Sequence, residues 1–472
     1  MPITRRTLIG LLTLGPVLAP LAVACGPQAP AAPAKPAEPA KPAANAPASG
    51  QAAATSKPVA PAQAQAAPAA AGVNKVKVRF WYGLGGQLGE VIVGQVNKFN
   101  AAQNAIEVEA VLQQSYNGVQ EKFLATLVGG DVPELIQMEI HATPQFASAG
   151  ALAPMEQFYK DDPAFNFDDL VPATLLNQRW EGTLYAMPIN RSTPLLYYNK
   201  NLFKEAGLDP EKPPKTWNEF RTMAKAMTKM DGGEVKVTGY LPAADWWYFE
   251  SMVWSNGGEL LDKELKRVTF AEPAAPIMQI WADMAYKEKT AQIMSGETAG
   301  DLRAQAFIDG RAAFVINSTA GLGRFIRDVK KFEMGTAFMP HTEGNTHAVP
   351  TGGAAAAIPA KASPEKQKAA FEFIKWWIST EQGAFWSQNT GYFPIRKTSI
   401  ELLTQQGYYR DRPQFKTTID QLQYAREAPL TPHWPAIAKE VTKGMEEILV
   451  NNAPALQALT KAQERAQAIV NG

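Results

Sequence analysis

Val76-Lys77-Val78-Arg79-Phe80-Trp81 alternates apolar with polar side chains, the period of a strand that turns one face to a core. Gly83-Leu84-Gly85-Gly86 follows, and then Leu88, Ile92, Val96 and Phe99 recur at the spacing of one helical face. Ile106 to Val111 alternates again, Val119, Phe123, Leu124 and Leu127 mark a second helix, and Pro133 to Met138 reads as a third strand. This β-α-β-α-β order predicts an α/β fold with a mostly parallel sheet, because parallel neighbours need a crossover that a helix supplies. The glycine cluster misses the dinucleotide fingerprint. Gly83 and Gly85 satisfy its first half, but position 88 is Leu. A tight turn beside a ligand cleft, at the carboxyl end of a strand, is the expectation instead.

Beyond Pro194 the texture changes. Leu195-Leu196-Tyr197-Tyr198 reads as a buried strand, Asn201 to Ala206 as a short helix stopped at Gly207, and Thr216-Trp217-Asn218-Glu219 as a capping box that opens another helix. Helical patterns follow at 216–230, 274–288, 300–309, 364–380, 434–449 and 455–469. Phe314-Val315-Ile316 and Gly352 to Ile358 read as strands between them. A strand-rich first part and a helix-rich second part imply two lobes, with the chain passing between them more than once.

Upstream, Arg5 and Arg6 precede an apolar run from Thr7 to Ala24, and small residues lead to Cys25. That is the layout of a signal peptide over 1–24. Gly10, Gly15, Pro16 and Pro20 suit the run poorly to a permanent membrane helix. Leu21-Ala22-Val23-Ala24-Cys25 resembles a bacterial lipobox, which implies a lipid on the Cys25 thiol and a protein held at the outer side of the cell membrane. Thr4-Arg5-Arg6-Thr7-Leu8-Ile9 also resembles a twin-arginine signal, so Sec and Tat export both remain open. Residues 25–72 are dominated by Ala and Pro and have almost nothing to bury, so a disordered tether is expected there.

The composition removes several function classes. Lys plus Arg is 46 and Asp plus Glu is 45, a net charge of +1, which argues against a nucleic-acid partner. One cysteine excludes a disulfide framework. His141, His341, His347 and His433 have no metal-ligand spacing, so neither a metal nor any other cofactor is implied. Eleven Trp suit a cleft that stacks on polyol faces as well as a core.

Several later motifs carry a resemblance. Met187-Pro188, Ser192-Thr193-Pro194-Leu195-Leu196-Tyr197-Tyr198-Asn199-Lys200, Ala206-Gly207-Leu208-Asp209-Pro210, Pro214-Lys215-Thr216-Trp217, Ala306 to Phe314 and Thr390-Gly391-Tyr392-Phe393-Pro394 look like family 1 extracellular solute-binding proteins of ABC importers. The likeness is greatest to binders of glycerol-3-phosphate, glycerophosphodiesters and sugars. It implies a two-lobe, periplasmic-binding-protein-like (type II) fold with hinge crossovers, working as a monomer with permease subunits in the membrane. By this likeness one lobe is 73–190 plus 317–351 and the other 193–315 plus 353–472. The crossings are expected near 190–193, 316–318 and 351–353.

The resemblance also implies ligand contacts: Tyr116, Glu139 (one residue from the family's acid), Ser192, Trp246, Ser318, Gly353 and Tyr392. The chemistry suits a polyol, since carboxylates and hydroxyls pair with its edges, aromatic rings cover its faces, and a glycine admits backbone N–H. Tyr116 and Glu139 are expected in one lobe, with Trp246 and Tyr392 in the other, because only contacts from both sides favour closure. Tyr392 is expected to be exposed; Arg191 and Arg324 are candidates for a replacement cation for phosphate, but solvated surface charges are the expectation for both. The arginine that glycerol-phosphate binders carry late in the chain falls at about Ala438, so a neutral sugar or polyol fits as well as a phosphate ester. The competing readings are an exported glycoside hydrolase, for which no carboxylate pair stands out, and a surface adhesin.

Overall fold

The computed structural model describes residues 74–296 and 298–472. The signal peptide, Cys25 and the tether expected over 1–72 lie outside these residues. The chain runs from β1 (Val76–Tyr82) through α1 (Gly86–Ala102), β2 (Ile106–Leu112) and α2 (Tyr116–Gly129) to β3 (Leu135–Glu139). After a loop-rich stretch come β4 (Ala186–Ser192), β5 (Pro194–Asn199), α3 (Trp217–Met227), β6 (Lys229–Asp231), β7 (Glu234–Leu241), α4 (Trp246–Ser255) and α5 (Ala271–Tyr286). Next are α6 (Ala299–Ile308), β8 (Ala312–Ser318), β9 (Met334–Ala337), β10 (Gly352–Ala357), α7 (Pro364–Trp377), α8 (Trp434–Leu449) and α9 (Ala455–Asn471).

Two five-stranded sheets result, ordered β2-β1-β3-β10-β4 and β9-β5-β8-β7-β6. In the first, β1 is parallel to β2 and β3, as the alternation with helices requires, and β10 returns antiparallel between β3 and β4. The first sheet buries Phe80, Ile92, Val96, Phe99, Phe373 and Trp377 on one face and Val119, Phe123 and Phe146 on the other. The second sheet packs Phe220, Tyr240, Trp281 and Phe314 on one side and Tyr197, Phe307 and Phe325 on the other. Each sheet therefore has its own two-sided core, and the chain forms two lobes.

The allocation of segments differs from the sequence expectation. Met334–Ala337, expected in the first lobe, joins the edge of the second sheet beside β5. Residues 353–357, expected in the second lobe, belong to a strand of the first sheet, with 354–357 paired on both sides. The chain also does not cross after β8. Ser318 stays opposite Pro194, and Thr319 donates to the Thr193 carbonyl at 2.9 Å. The crossings occur at Thr193, at Thr351 and after Arg396, which is bound to Asp169 of the first lobe. The physical reason is pairing. An all-Ala strand such as 354–357 has little side chain to declare a side, and its place is decided by open hydrogen-bonding edges.

Candidate functional site

Glycines allow the first lobe to present its cleft edge. A Cβ on Gly83 would lie 2.5 Å from the Ser115 backbone, so only glycine lets the β1–α1 turn approach the start of α2. Gly83 N donates to Gln137 Oε1 at 2.9 Å, and Gln137 Nε2 donates to Asn190 Oδ1 at 2.9 Å. Asn190 Nδ2 donates to the Tyr116 hydroxyl at 2.8 Å, which lies 3.3 Å from the Tyr392 hydroxyl. Burial holds both phenols above their usual range, so they act as neutral hydroxyls.

The second lobe brings α4 and α8 to the opposite wall. Asp245 caps α4 by accepting from Trp247 N at 3.0 Å, which sets Trp246 at the helix start. Along α8, Trp434, Ile437, Val441, Met445 and Ile448 fill the core, leaving Lys439 and Lys443 on another face. Between the walls lies a cavity of about 620 Å³ lined by Asn117, Glu139 and His141 of the first lobe and Asp245, Trp246, Trp434, Ala438, Lys439 and Lys443 of the second.

His141 links the lobes. Its Nδ1 is 2.6 Å from Glu139 Oε1, its Nε2 is 3.6 Å from Glu250 Oε1 on α4, and its ring meets the Trp246 ring edge-on with centroids 4.9 Å apart. Burial by itself would lower the imidazole pKa, but the two carboxylates prevail and raise it to about 10. Burial pushes Glu250 up to about 7, against the pull of His141.

The seven expected contacts divide into three groups. Glu139 and Trp246 line the cavity. Tyr116 and Tyr392 form the hydroxyl pair, with Asn117, the residue after Tyr116, on the cavity wall. Ser192 and Gly353 flank the strand crossings, whereas Ser318 ends β8 beside Pro194, where the expected crossing does not occur. Ser192 is buried opposite Gly352, the Ser318 hydroxyl accepts from Ala320 N at 3.1 Å, and Gly353 has φ +93°.

Two expectations are corrected. Tyr392 belongs to the first lobe and is buried, stacked on Trp386 at 5.6 Å, because the chain returns across the hinge before it. Arg191 is 0 % exposed, held inside by its position on a strand that is buried along its whole length. Arg324 does lie on the surface, paired with Asp301. Sequence reasoning missed His141, Glu250, Asn190, Asp245, Trp434 and the two lysines. Only the lysines left a trace, four residues apart beside an apolar stripe.

Two lobes, each with its own core, joined by strand crossings and facing each other over an aromatic and charged cavity, make a hinged receptor for a small solute. The chain belongs to the bacterial extracellular solute-binding proteins, whose family model matches residues 94–417. It is 28% identical over 416 residues to the sn-glycerol-3-phosphate-binding periplasmic protein UgpB of Pectobacterium atrosepticum, covering 83% of this chain and 91% of that one. It is 29% identical over 350 residues to the protein of the same name from Yersinia pestis, covering 71% of this chain and 78% of that one. UgpB from Mycobacterium tuberculosis, solved in complex with glycerophosphocholine, superposes with a TM-score of 0.76 at 26% identity over 84% of this chain and 99% of that one. The cyclic alpha-maltosyl-1,6-maltose binding protein of Arthrobacter globiformis has the same fold, with a TM-score of 0.71 at 23% identity over 84% of this chain and 100% of that one. The chain is thus an extracytoplasmic solute-binding component of an ABC importer.

Proposed function

We propose that this protein captures a glycerophosphodiester outside the cell and delivers it to its permease, working as a monomer anchored through a lipidated Cys25. The observation that carries the ligand class is the make-up of the cavity. Trp246, Trp434, Glu139 and Asp245 share its wall with Lys439 and Lys443, and with Glu121 and Glu446. An organic cation suits the aromatic rings and carboxylates, and a phosphate suits the ammonium groups. The relatives named for sn-glycerol-3-phosphate and glycerophosphocholine support this reading. A neutral sugar is the second reading, favoured by Ala438 where the resemblance leads one to expect an arginine. Hydrolysis is disfavoured because the relatives are named as binding proteins, and Glu250, the carboxylate across His141 from Glu139, is fully buried.

Titration calorimetry of the mature protein against glycerophosphocholine, glycerol-3-phosphate, maltose and galactosylglycerol tests the proposal. Binding of glycerophosphocholine at micromolar Kd or tighter is expected. Tighter binding of maltose than of either phosphate ester would select the second reading. Absence of heat and of thermal shift with all four would overturn solute capture of this class. Incorporation of labelled palmitate that is lost in Cys25→Ala checks the anchor.

A further inference from the structure

We propose that Asp245 selects an ammonium head group on the solute, its open carboxylate oxygen meeting that cation beside Trp246; this rests on the solute reading above. Asp245 lines the cavity together with Trp246, the next residue in the chain and the first of α4. Its Oδ1 accepts from Trp247 N at 3.0 Å, which fixes the carboxylate at the helix start. Its Oδ2 has no hydrogen-bond partner among the described residues, and it is not sealed from solvent, since the residue is half-buried on the cavity wall.

The Trp246 ring completes this corner. It is half-buried and meets the Trp434 ring at 77°, with centroids 6.2 Å apart. A cation set against an indole and a carboxylate is attracted by both, and more strongly as closing lobes exclude water. Among the described residues the cation that acts on Asp245 is Arg303, which makes no ion pair with it and donates to the Ile316 carbonyl at 2.9 Å. Burial holds the Asp245 carboxyl above its usual range, with the cap bond and Arg303 opposing the rise. A carboxylate in that position is under-compensated, and a cation brought by the solute answers it.

The other carboxylates on the wall are engaged or solvated. Glu139 Oε2 accepts from His141 N at 3.0 Å, and its Oε1 lies 2.6 Å from His141 Nδ1, so both oxygens are taken. Glu121 and Glu446 are exposed, where water and salt screen a charge. The acid expected from the sequence thus holds the histidine, and Asp245 is left to meet the solute. Lys439 and Lys443 remain for the phosphate.

The test is calorimetry of the mature protein with glycerophosphocholine and with its neohexyl isostere, in which carbon replaces the choline nitrogen. The two ligands share the phosphate and differ in one charge. The wild type is expected to prefer glycerophosphocholine. Asp245→Asn removes the charge and keeps an N-cap acceptor, because Asn caps as well as Asp. Its ratio of the two affinities is expected to fall roughly tenfold, the size of one half-buried charge pair. Glu121→Gln, Glu139→Gln and Glu446→Gln should keep the ratio, whatever they do to both affinities together. Thermal midpoints are measured in parallel. Equal wild-type affinity for the two ligands overturns the assignment, even where Asp245→Asn does not fold. An unchanged ratio in Asp245→Asn, or an equal fall in Glu139→Gln, also overturns it. Wild-type binding of neither ligand instead overturns the solute reading, and this assignment with it.

Discussion

Gly353 shows how one residue constrains the site. Its φ is +93°, and a Cβ there would stand 2.0 Å from the Asn190 carbonyl oxygen. Asn190 in turn orients Tyr116 through a 2.8 Å hydrogen bond. Gly353→Ala must therefore bend β10 away from β4 and move the hydroxyl pair. Strain of this kind costs about 1–3 kcal/mol. The expected result is a lower thermal midpoint together with weaker solute binding. An alanine variant that melts with the wild type would contradict the close approach.

Among the elements, α3 is the one whose start was written most plainly in the sequence. Thr216 accepts from Glu219 N at 3.2 Å, and Glu219 Oε2 accepts from Thr216 N at 3.2 Å. The pair satisfies donors that the first helical turn leaves free. Thr216→Ala should cost about 1 kcal/mol of stability in urea titration, with solute affinity unchanged because α3 lies away from the cavity. A change in affinity with no change in stability would show that α3 has another role. α8 is less legible: its apolar stripe predicted a helix, but not that the neighbouring face would look into the cleft.

Across the whole molecule, closure lines up Glu139, His141 and Glu250 in one row, the last two buried. The groups facing His141 are Glu139 from its own lobe and Glu250 with Trp246 and Trp434 from the other; Asp245 acts on Glu250 in turn. The imidazole's pKa in the folded protein, about 10, lies above its ordinary 6.5. Its contribution is thus fully present below pH 6.5 and is lost as pH rises toward 10. Glu250, raised to about 7, works in the same direction, since its charged form is the disfavoured one. Thermal midpoint and solute affinity should both fall between pH 6 and pH 10, and His141→Gln should flatten the alkaline part of that fall. A wild-type profile that is level over this range would contradict a lobe-bridging imidazolium.

The alternation in 76–81 and the spacing of Leu88, Ile92, Val96 and Phe99 were sufficient for the α/β character of the first lobe, because strand and helix periods are local properties of the chain. The motifs around Ser192 to Lys200 and Thr390 to Pro394 were sufficient for the family. Which lobe receives 334–337, 352–357 and Tyr392 was decided only in three dimensions, by the strand edges and ring faces open to them. The same holds for the site. Glu139 and Trp246 were readable as types of residue, but the row through His141 to Glu250 and the burial of Arg191 depend on segments far apart in the chain. Local patterns report what a segment can bury. The partner it is buried against, and therefore the charge it must answer, is set by how the two lobes pack.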